Sequence, residues 1–417
     1  MEHSENEQKV GRWCLVSMAS IPLVMTLGNS MLIPVLPIFE KKVDITSFQS
    51  SMIITSYSLA AIFLIPVAGY LSDRFGRKIV ILPSLILALI GGIIAGFASW
   101  KGNDPYTWIL IGRILQGIGA AGATPIILPL VGDLYKGNDE KTSSCLGLIE
   151  TSNTFGKVLS PILGAAFAAF LWFLPFFSIS FFSLISIVLV FFFIKVPKKK
   201  DEPVKFKAFA RKTKDIFKKE GRWIYTVFLV GVYLMFLLFA VLFFLSDILE
   251  KIHDIYGVKK GLILAVPLLG LCGASYIAGK KIKDNLKTMK RVLMISLIVI
   301  SGSVVFVGYT SEKLILLLGV TSLFGIAMGA TLPVLDALIT EGIEKEERGT
   351  ISSFYSSARF VGVAFGPPGM SLVMDKFLNI SFFIAGGVGL LLLWLVLKFI
   401  ESSKSEKGQG NTENAFA

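Results

Sequence analysis

The sequence predicts an all-α integral membrane protein, with twelve transmembrane helices in two six-helix pseudo-symmetric halves. Three observations carry this. Of 417 residues, 54% are hydrophobic and only 17% charged, below the roughly 25% charge of a soluble domain, and the mean hydropathy is +0.72. The charges fall in short runs between apolar stretches near the ~20 residues that cross a hydrocarbon core of about 30 Å. A glycine and proline pattern then recurs between the two ends of the chain.

The spans are expected near 13–39, 47–71, 79–99, 108–131, 143–168 and 171–194, then 223–246, 260–278, 292–310, 314–337, 351–374 and 379–398. The first run is longer than a signal-peptide core and lacks a small-residue cleavage site, so it reads as a span. Only a few residues near Phe170–Pro175 can turn between the fifth and sixth. The domain reading is a cytoplasmic tail at 1–12, a first half at 13–194, a central loop at 195–222, a second half at 223–400 and a cytoplasmic tail at 401–417. In the central loop, Phe206–Phe217 suits either a basic amphipathic helix on an anionic leaflet or a solvated linker.

Lys and Arg set the orientation. With both termini cytoplasmic, 30 of the 41 fall on the inner side, 8 on the outer side and three inside spans: Arg113, Lys157 and Arg359. The reverse orientation would invert that bias. The net charge of +12 therefore reads as positive-inside charge rather than a nucleic-acid surface. Cys14, Cys145 and Cys272 share no metal spacing, and His3 and His253 offer neither zinc nor triad chemistry. No phosphate-binding GxxxxGK[ST] loop is present, which argues against ATP coupling within the chain.

The repeat is local but regular. Gly156, Ser160 and Pro161 of GKVLSPILG stand 206 residues before Gly362, Gly366 and Pro367 of GVAFGPPG. Parallel six-span repeats around a central cavity are a transporter architecture. The strongest motif is GYLSDRFGRK, with Gly69, Asp73, Arg74, Gly76, Arg77 and Lys78 in a tight loop between two spans. Gly69 permits close helix approach and Gly76 a tight turn.

This loop resembles the GxLxDRxGRK signature of the major facilitator superfamily. LGNSMLIPVLP in the first span and Arg113-Ile-Leu-Gln116-Gly117-Ile-Gly119 in the fourth are similar to stretches of its drug:proton antiporters, the twelve-span multidrug exporters. Gly147, Gly156, Pro161 and Gly164 resemble the antiporter motif of the fifth span, with Ser160 and Ala165 in place of two glycines. The resemblance implies the major facilitator fold and a conformational gate in which the loop charges pair with an acid closing the fourth span, here Asp133. A latch of this kind shifts population by adding contacts in one state only.

Ionisable groups inside spans are functional candidates because they are costly there. A carboxylate in an apolar cavity can load and release protons near neutral pH. Glu150 is the best candidate carrier, with Arg113 and Arg359 as coupling partners and Asp336 as competitor. The bland alternative makes Glu150 a packing partner for Arg359 or Lys157, and Arg113 a fixed helix contact. At about 1.5 Å per residue, Arg113 and Glu150 are separated by roughly 12 Å in depth, too far for a salt bridge. Asn29, Tyr57, Gln116, Asn153, Tyr233, Phe236, Phe324, Phe354 and Tyr355 are candidate cavity residues, though each could equally pack or face lipid.

The expectation is a proton-coupled secondary exporter of hydrophobic or amphipathic molecules, working by rocking of two halves. Its partners would be the bilayer of the cell membrane, protons and a small-molecule substrate. No cofactor, nucleic acid or obligate protein partner is implied, and the chain reads as a monomer. The rival is an exporter of one metabolite, such as a siderophore, lipid or sugar, on the same fold, since the cavity and not the fold sets the cargo. A non-transporting sensor would need an appended domain or a dead cavity.

Overall fold

A computed structural model describes residues 11–135, 139–195, 206–281, 286–343 and 347–400. The expected tails, with His3, and the start of the central loop at 196–205 lie outside the described residues. Helices account for nearly all the rest. The first half contains α1 (Arg12–Ser30), α2 (Leu36–Val43), α3 (Ser47–Phe75), α4 (Arg77–Lys101), α5 (Pro105–Ala123), α6 (Ile127–Leu134), α7 (Asp139–Phe170) and α8 (Leu174–Phe193). After α9 (Phe206–Glu220), the second half contains α10 (Arg222–Lys251), α11 (Gly257–Lys281), α12 (Leu286–Tyr309), α13 (Leu314–Glu341), α14 (Arg348–Val373) and α15 (Leu378–Phe399).

These make twelve rods, ten of them long and apolar enough to cross a membrane by length and composition. The other two, α7 and α14, are comparably long but carry more polar residues. They hold Glu150, Lys157 and Arg359, and they are the helices of the glycine–proline repeat.

Two rods are not continuous, contrary to the sequence expectation. The first span leaves α-helix after Ser30, forms a 3-10 turn at Ile33–Val35, and resumes as α2. The fourth breaks at residues 124–126 before α6. Pro34 and Pro125 sit at these breaks, where a missing N–H and a ring clash with the preceding turn interrupt the hydrogen-bond ladder. Pro22, Pro66, Pro83, Pro161, Pro267 and Pro333 remain inside helices, as membrane helices tolerate.

Local chemistry closes the turns. Thr46 and Gln49 form a capping box at the start of α3, satisfying two amide donors that a helix start leaves free. Gly76 separates α3 from α4 at φ +104°, a backbone region that a side chain would strain. Lys78 Nζ donates to the carbonyls of Phe191 and Ile194, both at 2.7 Å. In the second half, Lys290 Nζ donates to Leu397 at 3.1 Å and Ile400 at 2.6 Å. Each lysine neutralises the carbonyl end of its half's last helix, and the acceptors are again 206 residues apart.

Packing repeats in the same way. α4 lies against α5 and α8, and α12 lies against α13 and α15. Across the molecule α3 meets α14 and α7 meets α11, exchanged partners under a pseudo-two-fold. Within the first half the helices come close enough that a Cβ on Gly117 would collide with the carbonyl of Tyr57. α9 is present where a basic amphipathic helix was considered. Ile216 is buried, and Phe217 meets Tyr225 at 5.8 Å and Phe228 and Phe354 at 5.7 Å between ring centroids. Phe217 thus packs on α10 and α14.

Gly117→Ala is expected to destabilise the protein by about 1–3 kcal/mol through overpacking. Gly147→Ala, where a Cβ meets nothing within 4 Å, should be neutral or slightly stabilising. Thermal unfolding midpoints in detergent compare the two.

Candidate functional site

The loop after α3 forms a charged cluster around one arginine. Arg77, 7% exposed, pairs with Asp73 at 2.7 Å and Asp133 at 3.0 Å and donates to Ser72 Oγ at 2.7 Å. The structure thus brings Asp133, 56 residues away in sequence, to the loop that was expected to need it. Arg74 instead turns outward over the Phe75 ring at 5.3 Å. All three paired charges belong to the first half. Gly69 faces the second, where Ser353 Oγ lies 3.1 Å from the position of its missing Cβ.

Arg113 is fully buried, and its guanidinium is consumed by the first half. It donates to the carbonyls of Ile53 at 2.8 Å and Gly28 at 2.7 Å, to Gln116 Oε1 at 2.7 Å and to Asn29 Oδ1 at 3.5 Å. The Tyr57 ring lies 4.5 Å away, and Tyr57 Oη donates to the Met25 carbonyl at 3.2 Å. One cation therefore ties α1, α3 and α5 together. Asn29, Tyr57 and Gln116 are drawn into this sealed knot rather than into a cavity, and Arg113 does not meet Glu150 or Arg359.

Four half-buried charges gather between the halves. Glu150, Lys157, Asp336 and Arg359 lie within electrostatic reach of one another. Arg359 Nη1 pairs with Asp336 at 3.4 Å, and the two side chains are 19% and 37% exposed, so this cluster borders an accessible crevice. Glu150 accepts from Asn153 Nδ2 at 3.3 Å and Thr154 Oγ1 at 3.4 Å. Asn153 accepts in turn from Thr26 Oγ1 at 2.5 Å. Among the described residues, Glu150 makes no ion pair with Lys157. Tyr355 belongs to the same cluster, its ring 5.7 Å from the Arg359 guanidinium.

Next to it lies a small cavity of about 20 Å³, lined by Ser30, Ile33, Lys157, Pro161, Leu238, Phe239, Leu242, Leu264 and Leu268. None of the nine residues expected to line a cavity lines this one. Tyr233 is buried and donates to the Ala385 carbonyl at 2.9 Å, facing α15. Phe324 is 2% exposed within the core. The Phe236 backbone lies against Gly362 and Gly366 of α14 and its ring against Gly369, and Phe354 packs on α9. In a chain with 34 phenylalanines, aromatic identity does not separate a cavity wall from helix packing.

The antiporter-like motif is a packing seam. Gly164 lies against the Met31 carbonyl, Gly156 against Leu23 and Thr26, and the Pro161 carbonyl against Gly261 of α11. Gly147 is the departure: nothing lies within 4 Å of its missing Cβ, so it takes no part in the seam.

At the end of the molecule holding α2, the halves are joined by contacts that the sequence reading did not single out. Glu250 accepts from Lys41 at 2.7 Å and Lys260 at 3.0 Å, and Ser246 Oγ donates to the Ile33 carbonyl at 3.1 Å. Lys260 and Glu250 are 2% and 5% exposed, whereas Lys41 is 66% exposed. The signal was a carboxylate and a lysine ten residues apart across one short loop, read only as loop charge. Glu250→Gln is expected to destabilise by about 3–5 kcal/mol, because it strands a buried ammonium. Lys41→Ala should cost less than about 1 kcal/mol, as an exposed partner does. Adding Lys260→Met to Glu250→Gln should recover most of the loss, again read as thermal midpoints.

Comparison with known proteins accords with this architecture. The family model described as Major Facilitator Superfamily matches residues 18–367 and 288–416. The bacillibactin exporter of Bacillus subtilis (strain 168) is 52% identical over 94% of this chain and 98% of its own length. Multidrug resistance protein 2 of the same organism is 24% identical over 94% and 97%. Among solved structures, the D-xylose-proton symporter superposes with a TM-score of 0.78 at 15% identity, covering 94% of this chain and 99% of its own. The human organic anion transporter MFSD10 (TETRAN) gives 0.72 at 18% identity, covering 92% and 99%. Twelve rods in exchanged pairs, an Arg77-centred loop cluster and a family match along the chain lead to one conclusion: this protein is a multi-pass membrane transporter belonging to the Major Facilitator Superfamily.

Proposed function

We propose that the protein exports a specific metabolite of the siderophore class across the cell membrane, driven by inward proton movement, with both termini cytoplasmic. The observation that carries this is the 52% identity to the bacillibactin exporter, spread over 98% of that protein. Identity spread end to end applies to cavity walls as well as to the scaffold. The multidrug reading has its own support in the 24% identity to Multidrug resistance protein 2, but the lower figure leaves the cavity freer to differ.

In this proposal the two halves rock about the seams α3–α14 and α7–α11, so that the central cavity opens to one side at a time. The Arg77 cluster with Gly69 gates one end, and the Lys41–Glu250–Lys260 contacts close the other. Glu150 carries the proton. Its hydrogen bonds to Asn153 and Thr154 hold the carboxylate at the crevice, and the Arg359–Asp336 pair beside it changes the local field as the halves part. No cofactor is required, and the chain acts as a monomer.

Deleting the gene from iron-starved cells tests the reading. Iron-chelating metabolite in the medium should fall by about tenfold or more, rise inside the cells, and recover with a plasmid copy. Glu150→Gln should fail to restore secretion at wild-type expression. Unchanged secretion with increased sensitivity to lipophilic dyes would replace this reading by multidrug efflux.

A further inference from the structure

We infer that the central site recognises an anionic group carried on an apolar frame, and that Lys157 is the residue that binds the anion. This deepens the transporter reading above by naming a ligand class. Lys157 lies on α7 in the middle of the antiporter-like seam, between Gly156 and Pro161. Its ammonium nitrogen is buried and has no hydrogen-bond partner. A buried cation without a partner is costly, and the other buried cations show what satisfaction looks like. Arg113 has four acceptors, Lys260 has Glu250, and Arg359 has Asp336.

The carboxylates nearest Lys157 are committed elsewhere. Asp336 pairs with Arg359, and Glu150 is held by Asn153 and Thr154. Arg359 and Cys272 complete the titratable groups around it, and Arg359 adds positive potential.

The surroundings of Lys157 supply the rest. Lys157 lines the cavity opposite five apolar side chains of the second half: Leu238, Phe239, Leu242, Leu264 and Leu268. Ser30 is the other polar side chain in the wall. One cation facing an aliphatic and aromatic wall is complementary to an acid on a hydrophobic body, since few placed polar groups among apolar walls set orientation and specificity. The site is selective against lipophilic cations for the same reason. At about 20 Å³ the cavity holds one water in this conformation, and a ligand enters as the α7–α11 seam parts.

The test uses the full-length protein purified in detergent, with 2-naphthoate and its neutral counterpart 2-naphthamide as probes, by equilibrium dialysis against empty micelles. Wild-type protein should bind the naphthoate at least about tenfold more tightly than the naphthamide. Lys157→Met should bring that ratio to about one while leaving naphthamide affinity unchanged, and Lys157→Arg should keep the preference. A wild-type ratio near one, no measurable naphthoate binding, or a preference that survives Lys157→Met overturns the assignment. The wild-type ratio and Lys157→Arg decide the matter even where Lys157→Met fails to fold. Binding is read without transport or iron, so loss of siderophore secretion as a function and loss of this site are separate results.

Discussion

A charge placed between membrane-spanning helices must be matched, and most of this structure follows from how each one is. The alternative to a protein partner is hydrocarbon, where an isolated ion is unstable by several kcal/mol or more. Arg113 is matched by carbonyls and amides of its own half, so it holds three helices in fixed relation. Glu250 is matched by lysines on both sides of the molecule, so it joins the halves. Arg77 is matched within the first half. The same chemistry thus gives a fixed knot and a loop cluster within the first half and a link between the halves, according to whether the partners sit in one half or two.

The fold was legible because span length and loop charge are strong constraints that do not depend on side-chain direction. The turn expected at Phe170–Pro175 falls between α7 and α8, where α7 ends at Phe170 and α8 begins at Leu174. The breaks at Pro34 and Pro125 were not legible. Among the described residues, eight prolines sit inside unbroken helices, Pro367 and Pro368 of α14 included, and Pro34 and Pro125 sit at interruptions by the same local chemistry, so only neighbouring helices decide which gap in the ladder is filled. For Phe206–Phe217 the sequence left a helix and a solvated linker open; the structure has the helix α9 there, and its partners were not legible because an apolar side chain reads alike whether lipid or protein covers it.

The site was legible where charge carried the signal. Asp133 could be assigned to the loop because the resemblance to the superfamily signature implies an acid closing the fourth span, and the structure pairs it with Arg77. The cavity wall could not be read, since apolar side chains recur around the spans and period alone does not say which face turns inward. Tyr233 and Phe354 illustrate this: Tyr233 donates to the Ala385 carbonyl of α15, and Phe354 meets Phe217 of α9. Lys157 was visible as a charge inside a span, but its lack of a partner is a property of the fold.

The glycine–proline motif of α7 takes its meaning from the residue placed inside it. Gly156 and Gly164 let α7 lie against α1, and Pro161 sets its carbonyl against Gly261 of α11. Pro161 also lines the cavity that Lys157 enters. The contact between Pro161 and Gly261 therefore borders the cavity that Lys157 lines, with the apolar wall of α10 and α11 on its other side. The motif's small residues have no chemistry of their own to offer a ligand. Their contribution is close packing that sets one unmatched cation between α7's two neighbours, α1 and α11. Packing and recognition are thereby placed on the same two turns of helix.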